Sequence, residues 1–422
     1  MVHGLVSEER GHDRDKRAAD PAFAVLLLSY IGFIALGLPD TVLGVAWPSL
    51  RASFGLSQSA LGSVLMAGLC GYFLSGLAAG SLLVRLGPGG LLAASSALVA
   101  GGLFAYAVAP SWSWFFPVGA VLGLGSGAID AGLNSYAARH FSVRHVNWLH
   151  ACWGVGASIG PLVMTNAIAR GFGYSSGYVL LAAALGSVAL AFFVTRRMWR
   201  DSERGDTSSV PPLSSRATGN FRGTVKSSRV WLAVATFFVY TGLEATLGQW
   251  SFTLMREGRG LGVEAAGLWT AAFWASLMLG RIAMGFVVER TGPDRLLRIA
   301  SVGALIGVLA FAVSSGLLGR LGLLLAGVSL APVFPTLMAR TPARLGSALA
   351  EHAFGLQVSA GALAAALLPG VVGLIIAQTG LRAIGVSAVA LSAAFMVLHE
   401  AMLRMTRASS RPPGSAESGS GL

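Results

Sequence analysis

The stretch FIALGLPDTVLGVAWPSL, residues 33–50, sets a proline and an aspartate side by side in an otherwise apolar run. Taken with the residues before it, the run is long enough to cross a hydrocarbon core of about 30 Å as a helix. A charge near the centre of such a helix costs about 2.5–3.5 kcal/mol on insertion scales. Asp40 is therefore expected to face a water-accessible passage or a partner, not lipid. Pro39 before it removes one helix hydrogen bond, so the segment is expected to kink or unwind there and free backbone carbonyls to line a cavity.

The rest of the chain repeats the apolar theme. Of 422 residues, 54% are hydrophobic and 11% charged, with a mean hydropathy of +0.69. That leaves too little polar surface to cover a water-soluble body of this size. Apolar blocks of spanning length fall near residues 22–48, 58–84, 91–109, 113–139, 147–169, 174–195, 229–254, 264–289, 295–314, 317–340, 350–377 and 382–403. The predicted fold class is an all-α integral membrane protein of twelve transmembrane helices in two pseudo-symmetric six-helix bundles. The bundles occupy residues 21–195 and 229–405, with a polar tail at 1–20, a linker at 196–228 and a second tail at 406–422. The linker is rich in Ser, Gly, Pro and Arg and reads as flexible. The second tail reads as disordered. Residues 1–20 carry no apolar core of the signal-peptide kind, so no cleaved leader is expected.

A net charge of +12 raises the question of a nucleic-acid partner. With the N-terminus taken as cytoplasmic, 23 of the 30 Lys and Arg residues fall on that side. Arg51, Arg170, Arg256, Arg259, Arg320 and Arg382 fall on the other, and Arg281 lies within a span. This asymmetry is that of a multi-pass protein of the cytoplasmic (inner) membrane with both termini cytoplasmic. The basic balance reports topology, and no nucleic-acid partner is inferred. Cys70 and Cys152 fall inside spans without metal-ligand spacing and read as packing residues, so neither a metal nor a cofactor is predicted.

The two halves echo one another. GLPDTVLG around Asp40 returns as GLEATLG around Glu244, at an offset of 204; GSLLVRLG, residues 80–87, returns as GFVVERTG, residues 285–292, at an offset of 205. NSYAAR, ending at Arg139, returns as PTLMAR, ending at Arg340, at an offset of 201. Near-constant offsets across three spans predict a duplicated six-helix unit, an arrangement common in secondary transporters.

Twelve spans in two related halves with a basic central loop resemble the major facilitator superfamily. Gly285-x-x-x-Glu289-Arg290-x-Gly292 is similar to that superfamily's loop motif between the second and third helix of each half. The resemblance implies close helix packing at the glycines and a charge relay at the cytoplasmic gate. In the first half the matching residues are Gly80, Arg85 and Gly87, with Val84 where the acid is expected. Arg139 and Arg340 complete the predicted gating set. GSGAIDAGLNSY, residues 125–136, resembles the fourth helix of fucose-permease-like proton symporters, with Asp130 and Asn134 at its acid and amide positions and Asp40 at its first-helix acid. NWLHACWGVGASIGP (147–161) and YTGLEATLGQW (240–250) are similar to the same relatives. Asp130 stands for a longer Glu and Ser135 for a Pro, so sugar specificity does not carry over.

Asp40, Asp130 and Glu244 are the carboxylates inside the spans, and burial disfavours their charged form, which suits them to exchanging a proton in each cycle. The competing reading makes each a neutral, hydrogen-bonded tie between helices. By helix rise, Asp40 is expected about 7 Å outward of its span's midpoint and Asp130 about 6 Å inward, with Glu244 near the middle. Asp130 and Asn134, one turn apart, share a helix face and suit adjacent hydroxyls. Gln249, Trp250, Trp153 and Gln357 complete the predicted substrate-binding set, with Tyr240 and Trp274 as further aromatics. His150, at the start of the fifth span, reads as a packing or gate residue. The glycine pairs Gly76/Gly80, Gly123/Gly127 and Gly156/Gly160 predict close helix contacts. GLGSGA, residues 123–128, fits a dinucleotide fingerprint only in spelling, because no strand precedes it, and no Walker A motif is present.

The sequence predicts a secondary transporter, not an enzyme. It is expected to act as a monomer in the lipid bilayer, by proton symport of a sugar or other hydroxylated solute, with proton antiport of drugs or metabolites as the alternative.

Overall fold

A backbone crossing lipid must bond its own N–H and C=O groups, and the helix does this within one segment. The computed structural model describes residues 5–199 and 221–409; the side chains of residues 5–22, 143, 147, 221, 284–286, 289, 347, 348, 351 and 407–409 lie outside that description. So do residues 200–220 of the predicted linker and 410–422 of the second tail. The helices are α1 (Leu5–Asp40), α2 (Val42–Phe54), α3 (Ala60–Ala107), α4 (Phe115–His140), α5 (Val143–Ala169), α6 (Gly173–Val194) and α7 (Phe221–Lys226). They continue with α8 (Ser228–Thr253), α9 (Val263–Thr291), α10 (Pro293–Val313), α11 (Leu317–Leu330), α12 (Val333–Leu345), α13 (Ser347–Thr379) and α14 (Arg382–Ser409). Among the described residues there is no strand. Residues 5–20, expected as a polar tail, extend α1 back to Leu5, while the apolar span begins at Phe23.

Among the described residues, eleven helical segments are long and apolar enough to span. One of them, α3, has 48 residues, or about 72 Å at 1.5 Å per residue, more than twice a hydrocarbon core. Gly87 interrupts it at φ 69°, ψ 170°, a conformation open to glycine and strained for other residues. Counted as two crossings, α3 brings the total to twelve, in agreement with the twelve apolar blocks. The second half repeats the device: Gly292, at φ 75°, ψ 148°, separates α9 from α10. Each glycine precedes a proline, Pro88 or Pro293, whose fixed φ suits the first turn of the next helix.

The first span breaks where the proline predicted it. α1 ends at Asp40 and α2 begins at Val42, with Thr41 at φ −109°, ψ 0° between them. At the break Thr41 Oγ1 donates to the Ala157 carbonyl of α5 at 2.8 Å. α11 and α12 are likewise two pieces of one span, parted at Ala331 and Pro332.

The chain divides into two compact units, Met1–Leu56 with Ser63–Pro211, and Ser57–Gly62 with Pro212–Leu422. In the first, α1 packs on α5, α4 and α6. In the second, α8 packs on α13 and α14, and α10 on α11 and α14. Large apolar side chains stand open on the outside, such as Leu77 at 85%, Val84 at 87% and Val313 at 80% exposure, as a lipid solvent permits.

Glycine sets the closest helix contacts. A Cβ on Gly123 would lie 1.9 Å from the Gly68 carbonyl oxygen, and one on Gly156 would lie 2.0 Å from that of Ile34. Gly76 and Gly80, expected to act likewise, have open space on their Cβ side. Gly123→Val should therefore destabilise the protein by about 1–3 kcal/mol or prevent folding, whereas Gly76→Val should melt like the parent. Thermal melts of the two purified variants check this; equal melting would refute the packing assigned to α3 and α4.

Candidate functional site

Glycines bring the polar side chains of the first unit together. Gly37, Gly156 and Gly160 let α1 approach α5 until a Cβ on any of them would meet opposing backbone at 2.0–2.2 Å. That approach carries Trp153 of α5 to the end of α1, where its Nε1–H donates to Asp40 Oδ2 at 2.9 Å. The Asp40 side chain remains exposed.

A second glycine seam, with Gly68 and Gly71 on α3 and Gly119, Gly123 and Gly127 on α4, lays Tyr72 against Asp130. The Tyr72 hydroxyl donates to Asp130 Oδ2 at 2.6 Å, and Asn134 Nδ2 donates to Asp130 Oδ1 at 2.8 Å and to its carbonyl at 3.0 Å. Asp130 and Asn134 thus form one unit, as their spacing predicted. Among the described residues neither aspartate has an ion-pair partner; both rest on neutral donors.

The second unit treats its acid differently. Glu244 of α8 accepts the Tyr240 hydroxyl on Oε2 at 2.5 Å, and its Oε1 lies 3.5 Å from Arg281 Nη2 of α9. The other predicted residues of this half are not gathered around it. Trp250 is fully buried and donates through Nε1 to the Pro369 carbonyl at 2.9 Å. Gln357 is buried and accepts the Thr341 hydroxyl at 3.0 Å. Gln249 is buried, and its Oε1 accepts no hydrogen bond among the described residues. Trp274 packs on the face left open by Gly248. In the first half His150 packs edge-on against Phe33.

The gating set divides similarly. Arg340 grips Asp294 with Nε at 3.1 Å and Nη2 at 2.7 Å, and Arg344 Nη2 reaches the same carboxylate at 2.9 Å. Asp294 lies in the first turn of α10, just after Gly292, where a negative charge also complements the helix dipole. Gly285 and Glu289 fall outside the described side chains, and Arg85 and Arg290 are exposed. In the first half Arg139 turns back to the Ser135 carbonyl of its own helix at 3.1 Å. At the offset of 205, Gly89 stands opposite Asp294. A side chain there would meet Arg196 backbone and Trp199 at 2.7–2.8 Å, so close packing replaces the charge cluster.

Tyr72, Arg281, Asp294 and Arg344 were not among the predicted site residues. Arg281 had a signal in the sequence, as the lone cation within a predicted span. Asp294 had one as well, since carrying the repeat two residues past Gly292 sets an acid against a glycine.

Spanning helices in two units, with polar groups held inside them, define a multi-pass membrane transporter. Residues 29–369 match the family model of the Major Facilitator Superfamily. The chain belongs to that superfamily and is a transporter, not an enzyme. It is 27% identical over 285 residues to Bypass of stop codon protein 6 of Saccharomyces cerevisiae, a match covering 62% of this chain and 56% of that protein. The chain therefore spans little more than half the length of that relative. It is 25% identical over 324 residues to the 4-hydroxybenzoate transporter PcaK of Pseudomonas putida, covering 69% of this chain and 71% of the relative. It is 22% identical over 316 residues to the glucose/mannose transporter GlcP of Bacillus subtilis, covering 73% and 77%. Among solved structures, a mutant of the nucleoside transporter NupG matches with a TM-score of 0.72 at 15% identity, over 91% of this chain and 99% of that one. A D-xylose-proton symporter matches at 0.67 and 15% identity, over 88% and 97%. FucP in its outward conformation matches at 0.57 and 15% identity, over 90% and 99%. At such identities the likeness shows the fold.

Arg344 is buried, so removing the charge on Asp294 leaves a guanidinium without its carboxylate. Asp294→Asn should cost about 1–3 kcal/mol in the state described and lower the melting temperature of the purified protein. An unchanged melting temperature would show that the cluster does not hold this state together.

Proposed function

We propose that the protein is a proton-coupled symporter of a small hydroxylated solute, with Asp40 and Asp130 as the proton-exchanging groups. The observation that carries the reading is that both aspartates rest on neutral donors, Trp153, Tyr72 and Asn134, and not on cations. A carboxyl held by neutral donors within a membrane can be occupied by a proton or left charged, whereas one locked to a guanidinium stays charged. The exposed edge of Asp40, too costly against lipid, supports contact with a wet passage. Asn134 and Tyr72 offer amide and hydroxyl groups to a polyhydroxylated ligand beside the proton site, and Trp153 offers an aromatic face.

The relatives point the same way at a coarser level. The glucose/mannose and 4-hydroxybenzoate carriers named above handle small solutes that bear hydroxyl groups. Alternating access by rocking of two repeats fits the internal duplication. In this scheme Arg139, Arg340 and the glycine breaks at Gly87 and Gly292 serve the gate. The distribution of Lys and Arg supports a place in the cytoplasmic membrane with both termini cytoplasmic.

Purified protein in liposomes, given an imposed pH gradient and a panel of glucose, mannose and 4-hydroxybenzoate, tests the proposal. The parent should accumulate a solute with the proton flow. Asp130→Asn should abolish accumulation while leaving solute exchange without a gradient, and Asp40→Asn should alter solute affinity, proton flux or both. Accumulation unchanged in Asp130→Asn would reject its coupling role, and gradient-driven expulsion of solute would favour antiport.

A further inference from the structure

We propose that the exposed groove between α10 and α14 is a binding site for an anionic phospholipid, with the lipid phosphate held by Arg298 and Arg404 and an acyl chain laid along the apolar walls beside them. Such a site belongs to the membrane fold itself, whatever solute the protein carries.

One ion pair fastens the first turns of α10 to the last turns of α14. Arg298 donates to the Glu400 carboxylate through Nε and, at 2.8 Å, through Nη2. Beside this pair opens a groove of about 370 Å³, within the range of about 300–1,000 Å³ that small-molecule sites occupy. Its walls are Val302 of α10 and Met396, Val397 and Ala401 of α14. The ion pair and Arg404 form its charged end.

The surroundings of the groove are laid out like a phospholipid, apolar along most of their length and charged at one end. On α10 the exposed residues Ile299, Val302, Ile306, Leu309 and Val313 recur at the three- and four-residue spacing of one helix face. Arg295 and Arg298, both exposed, close that stripe at the start of the helix. On α14 the exposed Val386 and Val397 lead to Arg404 in the same way. Arginines that merely reach the interface from the end of a span need no groove between them; here the groove and the cations coincide.

Charge selects the occupant. Arg295, Arg298 and Arg404 stand here against one carboxylate, Glu400, because Asp294 is taken by Arg340 and Arg344. Arg404 is exposed and has no hydrogen bond or ion pair among the described residues. The fold does not require these cations: the first half makes the same glycine–proline turn with Gly90 and Ala93 where α10 has Arg295 and Arg298, at the offset of 205. A second copy of the chain packed here about a two-fold axis would set arginine against arginine. An anionic phospholipid supplies the missing negative charge, its phosphate suits the planar fork of arginine, and its chain suits the walls. In the topology proposed above this end of the bundle faces the cytoplasm, the leaflet whose anionic lipids attract basic groups.

Native mass spectrometry of the full-length protein in detergent, titrated with phosphatidylglycerol or with phosphatidylcholine of the same chains, counts the lipid held and tests the site. Phosphatidylglycerol should bind about tenfold or more tightly than phosphatidylcholine, and glycerol 1-phosphate, the headgroup without chains, should not displace it. Arg404→Gln should weaken phosphatidylglycerol about fivefold, one arginine's share of such attraction, and leave phosphatidylcholine unchanged. Glu400→Gln removes the competing acid and should strengthen phosphatidylglycerol binding, whereas a purely structural role for the ion pair predicts a loss. Val302→Trp fills the groove, leaves every charge in place and should abolish the preference for phosphatidylglycerol. If it does not fold, Val397→Trp carries the same test from the opposite wall. Equal binding of the two lipids, an unaltered Arg404→Gln, a filled groove that binds as the parent does, displacement by glycerol 1-phosphate, or a dimer of the chain in place of bound lipid would overturn the proposal.

Discussion

The cost of holding charge inside a hydrocarbon slab governs this molecule, and the chain meets it in three ways. At the end of α10, Asp294 is surrounded by two guanidinium groups and a helix N-terminus and is fully compensated. At mid-depth in the second half, Glu244 meets Arg281 at a looser 3.5 Å and keeps a tyrosine on its other oxygen. In the first half, Asp40 and Asp130 meet only neutral donors among the described residues. Compensation by cations falls from the first group to the last. The acids least bound to cations are the ones proposed to do the coupling.

Small residues make these pairings possible. With side chains at Gly37, Gly156 and Gly160 the helix carrying Trp153 could not reach Asp40, and with side chains at Gly68, Gly71 and Gly123 Tyr72 could not reach Asp130. Packing and chemistry are thus one problem here: helices without a hydrophobic drive to associate are held by close backbone contact, and that contact aligns the donors.

Helix number and the internal duplication were legible in the sequence, because span length and repeat offset are properties of the chain itself. Asp40, Asp130 and Glu244 stood out as well, since a carboxylate in an apolar run is conspicuous. Their partners were not legible. In a soluble helix the polar face reveals which way the segment is turned, but a membrane helix is apolar toward both lipid and core, so the sequence carries little record of its rotation. Tyr72 therefore looked like any other aromatic, while Trp250 and Gln357 looked like lining residues although they are committed to Pro369 and Thr341. The relay motif drew attention to Glu289, whereas the acid gripped by Arg340 lies beyond Gly292, where the first copy has Gly89.

The central claim is that an aspartate held by neutral donors exchanges a proton within the membrane. Infrared difference spectroscopy of the reconstituted protein, recorded on adding a transported solute, observes the protonated carboxyl directly. The account predicts a change in the protonated-carboxyl band that is lost or shifted in Asp130→Asn. A spectrum with no such change, or one identical in the variant, would contradict it.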